Sequence, residues 1–288
     1  MQKEIAEGNY TTVASDGYLA LYRGYPLLDD SYSAHYAYLM NFSYENSFES
    51  IFELQYDYEN REKGNEGILN LYGKHDEISG LLLSASYLAS QSSGALFADA
   101  NDVRLFENTS YNGTSSNSYP VCKYRMQIVE TNSGIIQTTR ATAENWIVYR
   151  LTDIMLMRAE ALAYMNDEEG HEEAFELVAA VNARACGGRT TLVYDAGQIK
   201  TLVLEERQSE LMFEGKRWYD LMRMVLHSEN PTATMGTLRS TYLLRKYQSG
   251  GRDAVARIGS LDNLYLPINQ AEIDVNPLLE PDQNPAYI

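Results

Sequence analysis

Histidine is scarce in this sequence, and the scarcity removes several chemistries at once. The 288 residues hold four, His35, His75, His171 and His227. No two of them stand three or four residues apart, so no helix carries the paired imidazoles of an HExxH site. A zinc centre would have to be assembled from distant segments. Each histidine reads instead as a single surface side chain. Cysteine is scarcer still. Cys122 and Cys186 stand far apart, in neither metal nor redox spacing, and both read as plain thiols. There is no GxSxG elbow, no P-loop and no GxGxxG turn after a strand, which leaves serine hydrolysis and phosphate binding without support.

Positive charge is also in short supply. Lys and Arg number 23 against 40 Asp and Glu, a formal net charge of −17. A field of that sign repels phosphate backbones and gives no attraction to an anionic membrane. Nucleic acid is therefore not an expected partner. A neutral sugar or a peptide meets no such long-range penalty. No apolar run reaches the roughly 18 residues that a membrane-spanning helix needs. The first ten residues are polar, without the apolar segment of a secretory signal.

What the chain does have is tyrosine, 23 residues against 7 Phe and 2 Trp. A tyrosine joins a flat apolar face to a hydroxyl, which suits half-exposed contact surfaces. The hydrophobic share of 44% and charged share of 22% are those of a globular chain with a real core.

The periodicity predicts helices. Residues 18–38 read as helix, turn, helix, and Ser50–Tyr56 as a short alternating strand. From Trp146 to Met165, the residues Ile147, Leu151, Ile154, Met155, Ala159, Leu162 and Met165 trace one apolar helical face. After a turn at residues 166–170, a second helix is expected over Glu172–Ala185, ended by Gly187-Gly188. The two helices form an antiparallel hairpin similar to a tetratricopeptide unit, with Ala161, Tyr164 and Ala174 near the small and aromatic positions of such a repeat. A third helix is expected over Ala196–Glu214 and a shorter one over Lys216–Leu226, with Gly215 as the break. The tail from Leu264 holds Pro267, Pro277, Pro281 and Pro285 and is expected to be extended and irregular. Residues 59–140 lack strong periodicity and read as long loops around short elements.

The densest carboxylate group is Glu205, Glu206, Glu210 and Glu214. The last three stack on one helix face, interleaved with Arg207 and followed by Lys216 and Arg217. A glycosidase needs two carboxylates facing each other across a cleft. Three on one face beside Arg207 and Arg217 read as a structural ion-pair network. Asp99, Asn101 and Asp102 offer oxygens but not the spacing of a calcium loop, and read as a solvated loop.

Four blocks carry a family resemblance. Residues 149–161, from Tyr149-Arg150-Leu151 through Arg158-Ala159-Glu160-Ala161, form the first. The second is 205–223, ending in Glu214-Gly215-Lys216-Arg217-Trp218-Tyr219-Asp220-Leu221-Met222-Arg223. The third is the tail, Leu266-Pro267-Ile268 through Asn276-Pro277 to Gln283-Asn284-Pro285. The fourth is the strand around Ser47–Gln55. Taken in their order along the chain, beginning with the Ser47–Gln55 strand, these blocks resemble the SusD/RagB family. Asn269 and Ala286 depart from its pattern, which there has proline and glycine.

The resemblance implies a mainly α fold, in which a tetratricopeptide-like helical lobe stands beside a loop-rich, ligand-facing lobe with few short strands. It implies one domain over 1–288, truncated at its N-terminus. The helical scaffold would be residues 1–58 and 141–226, the ligand lobe 59–140, and the irregular C-terminal segment 227–288. It implies a non-catalytic lipoprotein of the outer-membrane surface, without cofactor or metal. Such a protein binds oligosaccharides for delivery to a TonB-dependent channel and touches the membrane only through a lipid anchor. Peptide or glycopeptide capture is the alternative within the family, and a helical structural adaptor is the alternative outside it. The expected ligand residues are Tyr72, Lys74, His75, Tyr87 and Phe97, in the loop region where aromatic residues concentrate without helical period.

Overall fold

The structure, a computed structural model, describes residues 38, 41–42, 46–56, 65, 82–84, 97, 99, 102–109, 118–121, 123–124, 126–131, 134–139, 145–165, 167–243 and 255–287. The chain divides into two compact units, Met1–Gly215 and Lys216–Ile288. The described part is mainly helical, with few short strands.

The first unit is built on three helices that follow one another in sequence, here α2 (Leu151–Tyr164), α3 (Glu168–Ala185) and α4 (Ile199–Glu210). On α2, Leu151, Met155, Ala159 and Ala163 recur every four residues and are all buried. They face Ala174, Leu177, Val178 and Val181 of α3 and Ile199 and Val203 of α4 in one apolar core. Alanines at 159, 163 and 174 keep the facing side chains small where α2 and α3 pack.

The helix ends have identifiable causes. The Asp167 side chain caps α3, accepting from the Gly170 amide at 2.6 Å. A Cβ on Gly170 would lie 2.8 Å from that same carboxylate oxygen, so the cap and the glycine require each other. This cap starts α3 at Glu168, four residues before the expected Glu172. Acidic Glu168 and Glu169 in the first turn and Arg184 in the last suit the helix dipole. At the other end Gly187 and Gly188 take φ of 68° and 86°, and the Gly188 amide reaches back to the Ala183 carbonyl at 2.7 Å. That is the left-handed helix stop that only glycine adopts cheaply.

The strands form antiparallel pairs. β1 (Ser50–Leu54) pairs with β6 (Trp146–Arg150), β2 (Leu82–Ser84) with β3 (Ser118–Pro120), and β4 (Met126–Thr131) with β5 (Gly134–Thr139). The helix α1 (Val103–Thr109) comes before β3 in the sequence. β6 corrects an expectation, since helix was predicted from Trp146. Ile147 and Leu151 happen to keep helical spacing, but Trp-Ile-Val-Tyr is a β-branched and aromatic run that fits a pleated surface. The helix starts only after Arg150, whose backbone is extended (φ −138°, ψ 163°). β1 is irregular where Phe52 pairs, and both Ile51 and Phe52 turn outward. A second small core joins Tyr38, Phe42, Val103, Val121, Tyr124 and Ile147.

The third helix also departs from expectation. α4 covers Ile199–Glu210 rather than 196–214, and Phe213 and Gly215 in the following turn have φ of 68° and 75°.

In the second unit, α5 (Arg217–Leu226) buries Asp220, Leu221 and Val225. α6 (Pro231–Thr237) starts with Asn230 as cap and proline in its first turn, and a π-helical turn over Leu238–Leu243 continues it. The Trp218 indole donates to the Leu264 carbonyl at 3.0 Å. The tail is not extended. It holds α7 (Gln270–Val275) and 3-10 turns at Leu261–Leu264, Pro277–Asp282 and Pro285–Tyr287. Two of its prolines, Pro277 and Pro285, follow asparagines: the Asn276 side chain accepts from the Leu278 amide at 3.3 Å, and that of Asn284 from the Ala286 amide at 3.0 Å. Proline at the first helical position lacks an N–H that would have been orphaned anyway, so Asn-Pro begins a turn where proline alone suggested none.

Candidate functional site

The charged residues singled out in the sequence lie at the centre of the first unit. Glu206, Glu210 and Glu214 stand on α4 and the turn after it and are 5%, 0% and 3% exposed. Their partners come from four other segments. Arg104 of α1 donates to Glu206 Oε1 at 2.5 Å and Glu210 Oε2 at 3.1 Å, and its other nitrogens hold Asp102. Arg150 at the end of β6 reaches Glu210 Oε1 at 2.7 Å, Glu214 Oε1 at 2.8 Å and Glu49 Oε2 at 3.2 Å. Arg184 near the end of α3 pairs with Glu49 and Glu210. Lys123 lies 2.6 Å from Glu214 Oε1.

Four cations, Arg104, Lys123, Arg150 and Arg184, thus face five carboxylates, Glu49, Asp102, Glu206, Glu210 and Glu214. Burial on its own would push the Glu210 carboxyl up, but Arg184, Arg150 and Arg104 outweigh it and hold Glu210 well below the usual carboxylate range. Glu214 is also lowered, with Arg150 and Lys123 overcoming burial. Glu206 goes the other way, because burial exceeds the pull of Arg104 and neighbouring Asp102 and Glu210 add to it. Burial brings the Lys123 ammonium down to about 8 despite Glu214.

Arg207 and Arg217, the cations expected beside these glutamates, have partners outside the cluster. The Arg207 guanidinium reaches Asp153 at 3.2 Å and Glu160 at 3.6 Å. That of Arg217 lies 5.4 Å from the Tyr242 ring centre. Residues adjacent on a helix point about 100° apart, so Arg207 points away from Glu206, toward Asp153 and Glu160. Arg104, Lys123, Arg150, Arg184 and Glu49 were missed. The signal available for Arg150 was its position at the junction of a β-type run and a helical one.

Tyr72, Lys74, His75 and Tyr87 lie outside the described residues. Phe97 is 7% exposed, so its ring packs inside the protein rather than standing open to solvent. Of the acidic loop, Asp102 is taken by Arg104, and Asn101 lies outside the described residues. No cluster of three potential metal ligands occurs among the described residues.

Exposed rings do occur on the β1–β6 pair. Phe52 and Tyr149 are direct cross-strand partners and are 51% and 45% exposed. Near the ends of β1, Asn46 and Gln55 exchange amide hydrogen bonds at 3.0 and 3.1 Å. Flat exposed rings of this kind match the apolar C–H faces of a sugar.

A sequence profile of the SusD family matches residues 100–287, more than half of the chain. SusD-like protein P2 of Formosa agariphila is 33% identical over 113 residues, which is 37% of this chain and 21% of that protein. SusD-like protein P38 of the same organism is 30% identical over 142 residues, 46% of this chain and 26% of that protein. Among solved structures, surface glycan-binding protein A from Bacteroides uniformis superposes with a TM-score of 0.52 at 19% identity, over 98% of this chain and 58% of that one. A SusD homologue from Bacteroides thetaiotaomicron superposes with a TM-score of 0.50 at 18% identity, over 97% of this chain and 59% of that one. The chain spans less than two thirds of these solved structures, and the aligned stretches span about a quarter or less of the relatives. At such identities the structural likeness speaks for the fold.

Proposed function

Because the chain belongs to the SusD family, we propose that it captures oligosaccharides at the bacterial cell surface, without catalysis, and passes them to a TonB-dependent outer-membrane channel. Family membership is the observation that carries this reading. A solved neighbour of the same fold is named a surface glycan-binding protein, which agrees with it.

The chemistry of the described residues is consistent with a binder. Each carboxylate of the central cluster is held by one or more buried cations, so none stands ready as acid or base. The net charge of −17 favours a neutral ligand over an anionic one. The ligand residues proposed are Tyr72, Lys74, His75 and Tyr87 of the 59–140 segment, with the Phe52 and Tyr149 rings as a second aromatic surface.

The test is an oligosaccharide-printed array probed with the purified chain, followed by an assay for reducing sugar on every glycan retained. Binding without release of reducing sugar supports the reading. Release that disappears when one Asp or Glu is replaced contradicts it.

A further inference from the structure

Two separate limbs of the 59–140 segment are fastened to one short stretch of backbone. The first limb is α1. Its Arg104 holds Glu206 and Glu210, and its Asn108 amide reaches the Met212 sulfur at 3.8 Å. The second limb is β3 and the turn that follows. There the Lys123 ammonium donates to the Glu210 carbonyl at 3.2 Å, the Met212 carbonyl at 2.8 Å and Glu214 Oε1 at 2.6 Å. The Tyr124 hydroxyl adds a bond to the Phe213 carbonyl at 3.4 Å. Both limbs therefore meet on Glu210 and Met212, at the end of α4. The second limb also carries β2, through the pairs Leu82↔Pro120 and Ser84↔Ser118.

The chemistry of these fastenings is directional. An ammonium has three N–H donors, and three oxygens receive them here. Nζ also sits 4.4 Å from the centre of the Phe42 ring, so the cation is enclosed on its remaining side. Arg104 is 1% exposed and divides its donors among three carboxylates. Apolar side chains of the same volume would fill this space without a desolvation cost, and such replacements are often neutral or stabilising. What the cations add is a fixed position for each limb.

We infer that Arg104 and Lys123 are positioning residues, a pair of buried clamps that fix α1 and β3 at one separation on the end of α4, and that binding of an oligosaccharide to this lobe depends on that separation. The inference rests on reading residues 59–140 as the ligand-facing lobe.

Native-state hydrogen exchange on the full chain tests the clamp without a ligand. Wild type, Lys123→Met and Arg104→Met are compared at the amides of 103–109, of 118, 119 and 121, and of α3. Each single variant is expected to speed exchange at least tenfold on both limbs together and leave α3 unchanged. Faster exchange on the mutated limb alone, or equally throughout the chain, overturns the clamp. If neither variant folds, the urea dependence of exchange in the wild type decides. A single common opening for the two limbs, separate from α3, supports the clamp, and unrelated openings overturn it. On an oligosaccharide array the variants are expected to release the same glycans about tenfold faster. Limbs that open while release stays at the wild-type rate overturn the positioning role. If the wild type retains no glycan while its limbs still open as one, the oligosaccharide reading has failed and the role in presenting a sugar fails with it.

Discussion

The Arg150 guanidinium joins the Glu210 carboxylate at 2.7 Å and the carbonyl oxygen of the same residue at 2.9 Å. One side chain thus neutralises a buried charge and satisfies the backbone at the end of α4. The Tyr38 hydroxyl and the Lys123 ammonium approach that same carbonyl at 3.4 and 3.2 Å. This accounts for α4 stopping at Glu210 although good helix formers follow, because the carbonyl of its last residue is claimed from outside the helix.

Glu210→Ala is expected to be strongly destabilising. It removes the carboxylate that faces Arg104, Arg150 and Arg184 and leaves buried positive charge uncompensated. Breaking such a pair costs about 3 to 5 kcal/mol. For a chain of this size that lowers the melting temperature by on the order of 10 °C, at about 2 to 4 °C per kcal/mol. Arg158→Ala is the control. The Arg158–Glu173 pair is 48% and 40% exposed, and its loss is expected to cost less than about 1 kcal/mol. Equal melting curves for Glu210→Ala and Arg158→Ala would remove the central cluster from this account.

Acid is expected to unfold the protein from the same place. Glu210 and Glu214 are held below the ordinary carboxylate value in the folded state. They contribute stability that is present above the unfolded value of about 4.3 and is lost as pH falls through their folded values. Glu206 is raised and contributes in the opposite sense, with stability present below its unfolded value and lost as pH rises. Two lowered groups against one raised group predict net loss on the acid side. Urea midpoints measured from pH 6 to pH 3 should fall, and Glu210→Gln should flatten the fall.

Lys123 predicts a rise on the alkaline side. Its folded value is about 8 against an ordinary 10.5. Above pH 8 the unfolded chain binds more protons at this residue than the folded one, so folding stability increases with pH there. The useful window is pH 8 to 9.5, below the titration of tyrosine at about 10. The difference in urea midpoint between wild type and Lys123→Met should shift in favour of the wild type across that window. A difference that stays constant, or shifts the other way, contradicts the burial of a charged amine at this site.

The cap of α3 gives a smaller, local prediction. Asp167→Ala leaves the Gly170 amide of α3 without its acceptor and is expected to cost about 1 kcal/mol. Gly170→Ala drives a methyl against the Asp167 carboxylate and should cost a similar amount. The double variant should cost clearly less than the sum, because both changes act on the same contact. Thermal melts of the three proteins check this, and strict additivity would separate the glycine from the cap.

The helical hairpin was legible in the sequence because Leu151, Met155, Ala159 and Ala163 repeat a single period, and Gly187-Gly188 marks a stop with one physical meaning. The β6 strand was not, since Ile147 and Leu151 fit a helix as well as a strand ending at a helix start. Only the pairing with β1, almost 100 residues earlier, decides between them. The tail was misread because Pro277 and Pro285 were taken as breakers while the capping asparagines before them went unread. The acidic half of the central cluster was visible as Glu206, Glu210 and Glu214 on one helical face. Its cationic half was invisible, because Arg104, Lys123, Arg150 and Arg184 belong to four segments that only the fold brings together. A ligand site built on loops has no period at all, and the sequence offered composition alone for Tyr72 and Tyr87.

Isothermal titration of an array-selected neutral oligosaccharide into wild type, Tyr72→Ala and Tyr87→Ala, at low and high salt, tests the central claim most directly. Ring contacts of this kind contribute about 0.5 to 1.5 kcal/mol each beyond their buried area. Each variant is therefore expected to bind up to about tenfold more weakly, since roughly 1.4 kcal/mol is one decade. Affinity should barely change with salt, because a neutral ligand has no charge for ions to screen. Affinity that ignores both rings and falls steeply with salt would contradict capture of a neutral sugar by the aromatic residues of the 59–140 segment.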